Sequence, residues 1–311
     1  MSQMKSIVDK LLTNVSSMRQ EEGAIAEMIF PKLSVAQYSG LLAKYGNGHL
    51  RIETSVVGGE GKYRRVQPIT RTSTSYNVES HGLEGMVTKR DYANVEKPYD
   101  AEQDEVIGLT SQLLLEKEFT FATALSNTSL ITQNVTLSGT SQLSDWSNSD
   151  PLSVFSTARI AVKNGCGKRP DTAWLDSRVV EKLRYHPQLL DLLGYKDARP
   201  GGLQDSELAR VLDVKRVLIA DCDYNSAQEG AADSMTAVWG KHIWFGVCPT
   251  SAAVRQTSAG YHVGMNGSSP RKVYKYKIDN PPETTGILVE DEYDMLLSNV
   301  GAIYLIKSAI A

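Results

Sequence analysis

Gly46–Pro98, GNGHLRIETSVVGGEGKYRRVQPITRTSTSYNVESHGLEGMVTKRDYANVEKP, decides the fold, because this run reads as extended ribbon yet holds too little apolar surface to bury against itself. Leu50, Ile52 and Val56 alternate with polar residues, the turn formers of Val57–Gly61 come next, and Tyr63, Arg65, Gln67 and Ile69 resume the alternation on the return leg. The spacing predicts a long hairpin. A projecting two-stranded hairpin is marginal alone in water, so a chain that keeps one this long is expected to lay it on a neighbouring copy of itself.

On the N-terminal side, Met4, Ile7, Val8, Leu11, Leu12, Val15 and Met18 fall on one helical stripe, which predicts an amphipathic arm helix over the first twenty residues. Gly23 and Pro31 interrupt the chain after this helix. On the C-terminal side, Asp100 is placed to cap a helix, with Gln103 in the position of a capping-box partner. Val106, Leu109, Leu113, Leu114, Lys117, Phe121, Ala124 and Leu125 keep helical spacing for about twenty-five residues, a rod of roughly 38 Å. Asp100, Glu102, Asp104 and Glu105 in its first turns complement the helix dipole and make an acidic end.

Further along, a polar excursion with short alternating pieces near Val135 and Leu137 leads to Asp150-Pro151, a cap with proline at the first helical position. Val154, Phe155, Ala158, Ala161 and Val162 form the buried stripe of that helix, and Gly165 is read as its C-terminal cap. Strands are expected at 172–175, 216–220, 237–240, 243–247, 287–289 and 302–306, with helices at 177–185 and 207–212 and a turn at 189–193. The fold class is α+β, with a sheet carrying helices in at least two layers.

Thirty-three Lys and Arg nearly balance 36 Asp and Glu, so the net charge of −3 offers no positive field to hold a nucleic-acid backbone. Cys166, Cys222 and Cys248 lack C-x-x-C spacing and suit reduced thiols. No apolar run approaches the ~18 residues of a membrane span and no secretory leader is apparent, so a soluble cytoplasmic product is expected. The glycosylation patterns at Asn127 and Asn134 are accordingly read as chance.

No catalytic, cofactor or metal site emerges. Gly58–Lys62 lacks the spacer and the Ser or Thr of a phosphate loop, and reads as a hairpin tip. His242 and Cys248 are read as packing, and Asp221-Cys222-Asp223 as a solvated turn rather than an ion site. The basic residues Lys62, Arg64, Arg65 and Arg71 on the ribbon either blunt a strand edge or face the acidic start of the long helix in the next copy, setting register between copies.

Arm, ribbon, long helix, α/β domain and returning strand stand in the order of the major capsid proteins of tailed bacteriophages with the HK97-like fold, which the chain resembles. The pieces that carry the likeness are the Tyr45-Gly46 turn, 79–84, the helix at 102–127, Trp146-Ser147, Ser149-Asp150-Pro151, 169–175, 179–195 with His186-Pro187, 208–218 and Val238-Trp239-Gly240. The resemblance implies an arm at 1–36, and a peripheral domain at 37–149 with an extended loop near 48–76 and a spine helix near 99–127. It further implies an axial domain at 150–285, or one whose last part returns to the peripheral domain, and C-terminal strands at 286–311 returning to the peripheral domain. It implies a non-enzymatic shell protein, without cofactor, that forms hexamers and pentamers around double-stranded DNA in a virion assembled in the bacterial cytoplasm. A separate scaffolding protein and a portal are expected as partners, with a decoration protein as a further one; the arm of about thirty-five residues leaves no room for a fused scaffold. Lys62 is a loop lysine of the kind some relatives join to a neighbour's asparagine, but no asparagine partner is legible here. The rival readings are an encapsulin-like nanocompartment shell and a dimeric α+β hydrolase.

Overall fold

The computed structural model describes residues 7–19, 21, 23–45, 50–52, 55, 63, 71–95, 100–194, 202–253, 256–265, 271–278 and 284–311. The chain opens with β1 (Ile7–Val8), α1 (Lys10–Met18), α2 (Ala26–Ile29) and β2 (Lys32–Val35). Next come β3 (Ser39–Tyr45), β4 (Arg71–Asn77), β5 (Glu79–Thr88), α3 (Lys89–Asn94) and α4 (Ala101–Leu125). The second half runs through β6 (Asn134–Thr136), α5 (Pro151–Cys166), β7 (Thr172–Asp176), α6 (Ser177–Arg184), α7 (Pro187–Leu192), α8 (Asp205–Leu212) and β8 (Arg216–Ala220). It closes with β9 (Asp223–Asn225), β10 (Met235–Ala237), β11 (Ile243–Gly246), β12 (Gly260–Met265), β13 (Arg271–Ile278), β14 (Thr284–Leu297) and β15 (Ile303–Lys307).

Two larger sheets organise these elements. β14 is the backbone of a six-stranded sheet: β5 runs antiparallel along one edge, β13 and then β12 line the other, β1 adds to β13, and β2 pairs parallel with β12. The first turns of α4 and the inner side of α1 lie on this sheet, where Leu12, Val87, Val106, Leu109, Leu113, Val273, Ile287 and Val289 form one buried cluster. The second sheet has the order β6-β15-β11-β7-β8 and is packed by α5, α6 and α8. Its core holds Trp174, Trp239, Trp244, Phe155 and Phe245, and also takes in Phe121 and Leu125 from the end of α4. α4 therefore enters both cores.

Several local readings need correction. The first helix begins at Lys10, not near the N-terminus, because Asp9 caps it by accepting from Leu11 N and Leu12 N (2.9 and 3.2 Å) while Ile7 and Val8 pair with β13. Its expected apolar stripe is only partly turned inward: Leu12 is buried together with the polar Thr13 and Ser16, Ser16 bonding Thr110 on α4, whereas Leu11 and Met18 are exposed. The cap of α5 is Gly167 at φ 74°, not Gly165. Gly165 instead lets the helix touch the backbone of Gly301, a close approach that a side chain would block. Asp100 caps α4 through Glu102 N at 3.0 Å, without the expected reciprocal bond from Gln103. A capping box stands at Thr88 and Asp91, opening α3, a helix that the sequence pattern does not announce.

The strand expected at 237–240 lies at 235–237, and β12 and β13 go beyond the expected strands; they form the last part of the range 150–285 and pair with β14, outside the five-stranded sheet. Of the two closing strands, β15 pairs with β11 in the five-stranded sheet instead of joining the peripheral layer. The reason is chemical: β15 reads IYLIK and is buried on both faces, as a strand covered on both sides of its sheet requires, while β14 alternates.

Candidate assembly surfaces

β3 and β4 form a separate antiparallel stem of seven paired rungs, from Ser39 opposite Asn77 to Tyr45 opposite Arg71. Its root is fixed to the large sheet. Tyr38 Oη donates to Glu292 Oε1 (2.7 Å), Asn77 N donates to Asp294 Oδ2 (2.9 Å), and Leu42 and Tyr76 pack on the cluster of Val78, Val263 and Leu296. The opposite face of the stem has no such support, with Leu41, next to Leu42 in the strand, 72% exposed. Beyond the stem, Leu50 lies against Gly167, but Ile52 is fully exposed and Tyr63 is 85% exposed. Lys62, Arg64 and Arg65, the basic residues singled out on the ribbon, lie outside the described residues; Arg71 closes the stem opposite Tyr45.

The acidic start of α4 is partly used within its own chain. Asp100 is the helix cap, Glu102 accepts from Tyr92 Oη and Lys275 Nζ, and Glu105 lies against Gly85 on β5. Asp104 is exposed. The Lys275 partner could not be read from sequence, because it arrives on a strand 173 residues away.

At the middle of α4 sits a buried cluster of charges. Lys117, 1% exposed, donates to Glu27 Oε1 and Asp291 Oδ2, both at 2.9 Å, and lies 4.3 Å over the Tyr293 ring. Arg271 Nη1 approaches Glu27 at 3.7 Å. Burial pushes the Glu27 carboxyl up, but Lys117 and Lys32 outweigh it and hold the group well below the usual carboxylate range. Glu118, next in sequence, accepts from Ala26 N (2.6 Å) and Trp239 Nε1 (2.7 Å). These donors are neutral, so burial prevails and raises Glu118 to about 7. His262 is lowered to about 3 by burial and by the nearby Lys117 charge. Lys117 is legible in the sequence as a member of the helix stripe; its partners are not.

The residues weighed for chemistry are occupied by packing and ordinary bonds. His242 Nδ1 accepts from Ser308 N at 3.0 Å, and Cys248 is buried with its thiol pushed up by that burial. Arg178 Nη2 donates to both carboxylate oxygens of Asp223 (2.9 and 2.8 Å), Asp221 accepts from Ser177, and burial raises the Cys222 thiol to about 12. Among the described residues no three His, Cys, Asp or Glu side chains converge as a metal site would require.

No family model matches the chain. Two curated relatives named major capsid protein do. That of Burkholderia phage BcepMu is 23% identical over 269 residues, covering 84% of this chain and 85% of its own length. That of Pseudomonas phage JBD67 is 25% identical over 241 residues, 76% of each. Among solved structures, a phage-related protein from Bordetella bronchiseptica RB50 superposes with a TM-score of 0.74 at 23% identity over 98% of both chains. The capsid of cyanophage P-SCSP1u gives 0.60 at 11% identity over 93% of this chain and 89% of that one. An encapsulin complex from Synechococcus elongatus gives 0.51 at 10% identity over 97% and 95%. The chain thus has the α+β HK97-like fold of phage capsids and is similar in sequence to phage major capsid proteins.

Proposed function

We propose that this chain is the structural major capsid protein of a tailed bacteriophage, self-assembling as hexamers and pentamers into an icosahedral head that encloses double-stranded DNA. One observation carries the reading: on a fold shared with phage capsids, a seven-rung stem leaves the body and leads to Ile52 and Tyr63, whose apolar surface the single chain does not cover. Burying a side chain of this size is worth about 1.5–3 kcal/mol, so a neighbour that covers the ribbon gains affinity a lone subunit forgoes. Each contact is weak by itself. In a closed shell every copy engages several neighbours, and simultaneous engagement raises the effective concentration of the next contact.

In this reading the protein is non-catalytic, acts in the virion after assembly in the host cytoplasm, and works with a separate scaffolding protein, a portal and, in some heads, a decoration protein. The ribbon, between the arm and the spine helix α4, reaches a neighbour, and the basic residues Lys62, Arg64, Arg65 and Arg71 meet acidic surface there, with Asp100, Glu102, Asp104 and Glu105 as the first candidates. The slight negative charge of −3 suits a wall that must not trap DNA moving inside it.

Electron microscopy of the purified protein with and without deletion of Gly58–Lys62 tests this. The full chain is expected to form closed shells, and the deletion a folded body with none; wild-type-like particles from the deletion refute the ribbon's role. A strict dimer at micromolar concentration under every salt and scaffold condition sinks the shell reading. The encapsulin likeness supports a second reading, a nanocompartment, which particles loaded with a cargo protein in place of DNA would favour.

A further inference from the structure

The ribbon is not the only hairpin whose end the chain leaves uncovered. β9 and β10 pair over three rungs and are joined by the turn 226–234, and residues 228–236 are all exposed. The turn braces itself: Asn225 Oδ1 accepts from Ala227 N and Ser234 N, both at 3.0 Å, and Ser226 N donates to Ser234 O at 2.8 Å. Ala231 N donates to Gln228 O at 3.0 Å across Gly230, whose φ of 86° suits glycine at the third position of a type II turn, so Glu229 stands at the corner. From Tyr224 to Thr236 the only charged residues are Glu229 and Asp233, and Asp233 is held by Asn225 Nδ2 at 2.8 Å. A cleft of 510 Å³ lies at the other end of β8, formed by the loops that lead into β7 and β8 and by the chain that follows β11. Pro170, Val214 and Val247 give it an apolar lining, and Lys168, Arg169 and Lys215 a cationic rim. Asp213 offsets Arg169 at 3.4 Å, and Asp171 Oδ1 is engaged by Cys248 N (2.6 Å) and Thr172 Oγ1 (3.1 Å). Lys168 and Lys215 are left without a carboxylate partner among the described residues.

We propose that the β9–β10 turn of one copy seats Glu229 between Lys168 and Lys215 in this cleft on a second copy. The inference rests on the shell reading above and goes beyond it by naming a contact in which the ribbon takes no part. The two surfaces are complementary: Glu229 meets the unpaired lysines, and Ala231 and Ala232 are small enough to lie on the apolar lining. A two-stranded hairpin of three rungs is marginal in water, which gives it something to gain from a partner. The connectivity decides the kind of contact. β8 starts beside the cleft at Arg216 and ends at Ala220, three residues before the hairpin, so its five residues hold the two features about 16 Å apart along the strand. A contact that joins two different patches is head-to-tail; it repeats from copy to copy and closes into a ring when its rotation permits. Pairing like with like would instead set one acidic turn against another and stop at two copies.

The test is a covalent ladder. Cys166, Cys222 and Cys248 are all buried, so introduced thiols at accessible positions react first. Full-length chains carrying both Ala231→Cys, on the turn, and Gln256→Cys, on the cleft wall, keep every charge in place. They are assembled, oxidised mildly and separated under denaturing conditions without reductant. Bridging demands Cα atoms within about 7 Å, so seating of the turn in the cleft is expected to give a ladder that climbs past the dimer, absent from either single variant. Dimers alone, or no bridged product from chains that do form particles, overturn the assignment. If the cysteine variants do not assemble, charge carries the test instead. Glu229→Lys is expected to lower the yield of sedimenting particles about tenfold with an unchanged subunit Tm, and adding Lys168→Glu and Lys215→Glu to the same chain is expected to restore it. An undiminished yield from Glu229→Lys, or no recovery in the triple variant, overturns the proposal. Failure of the shell reading looks different: wild-type protein then forms no closed particle at all.

Discussion

Replacing Lys117 by Met should cripple the subunit far more than its single position in the helix suggests. Methionine fits the volume and keeps the helix propensity, so the loss comes from charge. Lys117 is 1% exposed and Asp291 2% exposed, and Asp291 Oδ2 has the ammonium at 2.9 Å. Removing one member of a buried pair leaves the other uncompensated, which costs about 3–5 kcal/mol. At about 2.1 cal/mol/K per residue, 311 residues unfold with about 0.65 kcal/mol/K, so Tm is expected to fall by about 5–8 °C. Differential scanning calorimetry of unassembled subunits measures this directly. Adding Asp291→Asn to Lys117→Met should recover part of the loss, because the orphaned charge is then gone. A Lys117→Met subunit melting within about 1 °C of wild type would refute the argument.

Glu118 makes a pH-dependent prediction. Its folded value, about 7, lies above its ordinary value of 4.5, so the stability it contributes is present at acid pH and lost as pH rises from 4.5 through 7. His262, lowered from 6.5 to about 3, has the opposite sign and loses its contribution as pH falls below 6.5, so between 4.5 and 6.5 the two offset. Glu118→Gln removes one side of the balance: its Tm relative to wild type should drop steadily as pH is lowered from 7 to 4.5, and a constant difference across that range would show the carboxyl is not neutralised by folding. Gly165→Ala should destabilise by about 1–3 kcal/mol, since its methyl group collides with the backbone oxygen of Gly301; chemical denaturation with an unchanged midpoint would contradict this. Arg64→Glu with Arg65→Glu should lower shell yield, measured by sedimentation of assembled particles, more than it lowers monomer solubility. Unchanged yield would leave these arginines as strand-edge charges only.

Much of this architecture is legible in the sequence because the signals are local. Asp150-Pro151 caps α5, the stripe from Val106 to Leu125 is the buried face of α4, and strand 216–220 falls where its apolar run stands. The misses are cases where tertiary context decides. Ser16 is buried where α4 offers Thr110 to bond and Thr13 where Val273 N of β13 donates to it, so two polar side chains join Leu12 on the inner face of α1 while Leu11 and Met18 stay exposed against the pattern. Gly165 reads as the cap of α5, but the helix runs two residues further to Gly167 at φ 74°, and the approach of Gly301 gives Gly165 a different role. β12 and β13 are rich in Tyr, Lys and Gly and have the weak alternation of strands shared between two environments, so their run reads as a polar connection. The acidic and basic residues are recognisable as groups, but Lys275 answering Glu102, or Asp291 answering Lys117, depends on strands that only the folded sheet brings near.

α4 has its early turns in one core and its final turns in the other, with the salt-bridged Lys117 between them. Such a subunit has no waist at which to bend: rotating one sheet against the other would tear a continuous rod out of whichever interior it left. In the proposed shell, differences in curvature from one position to another would then fall to the place where the β3–β4 stem meets the body, held there by a small apolar cluster and a few polar ties. On that reading the subunit is a stiff tile whose strap takes up the difference.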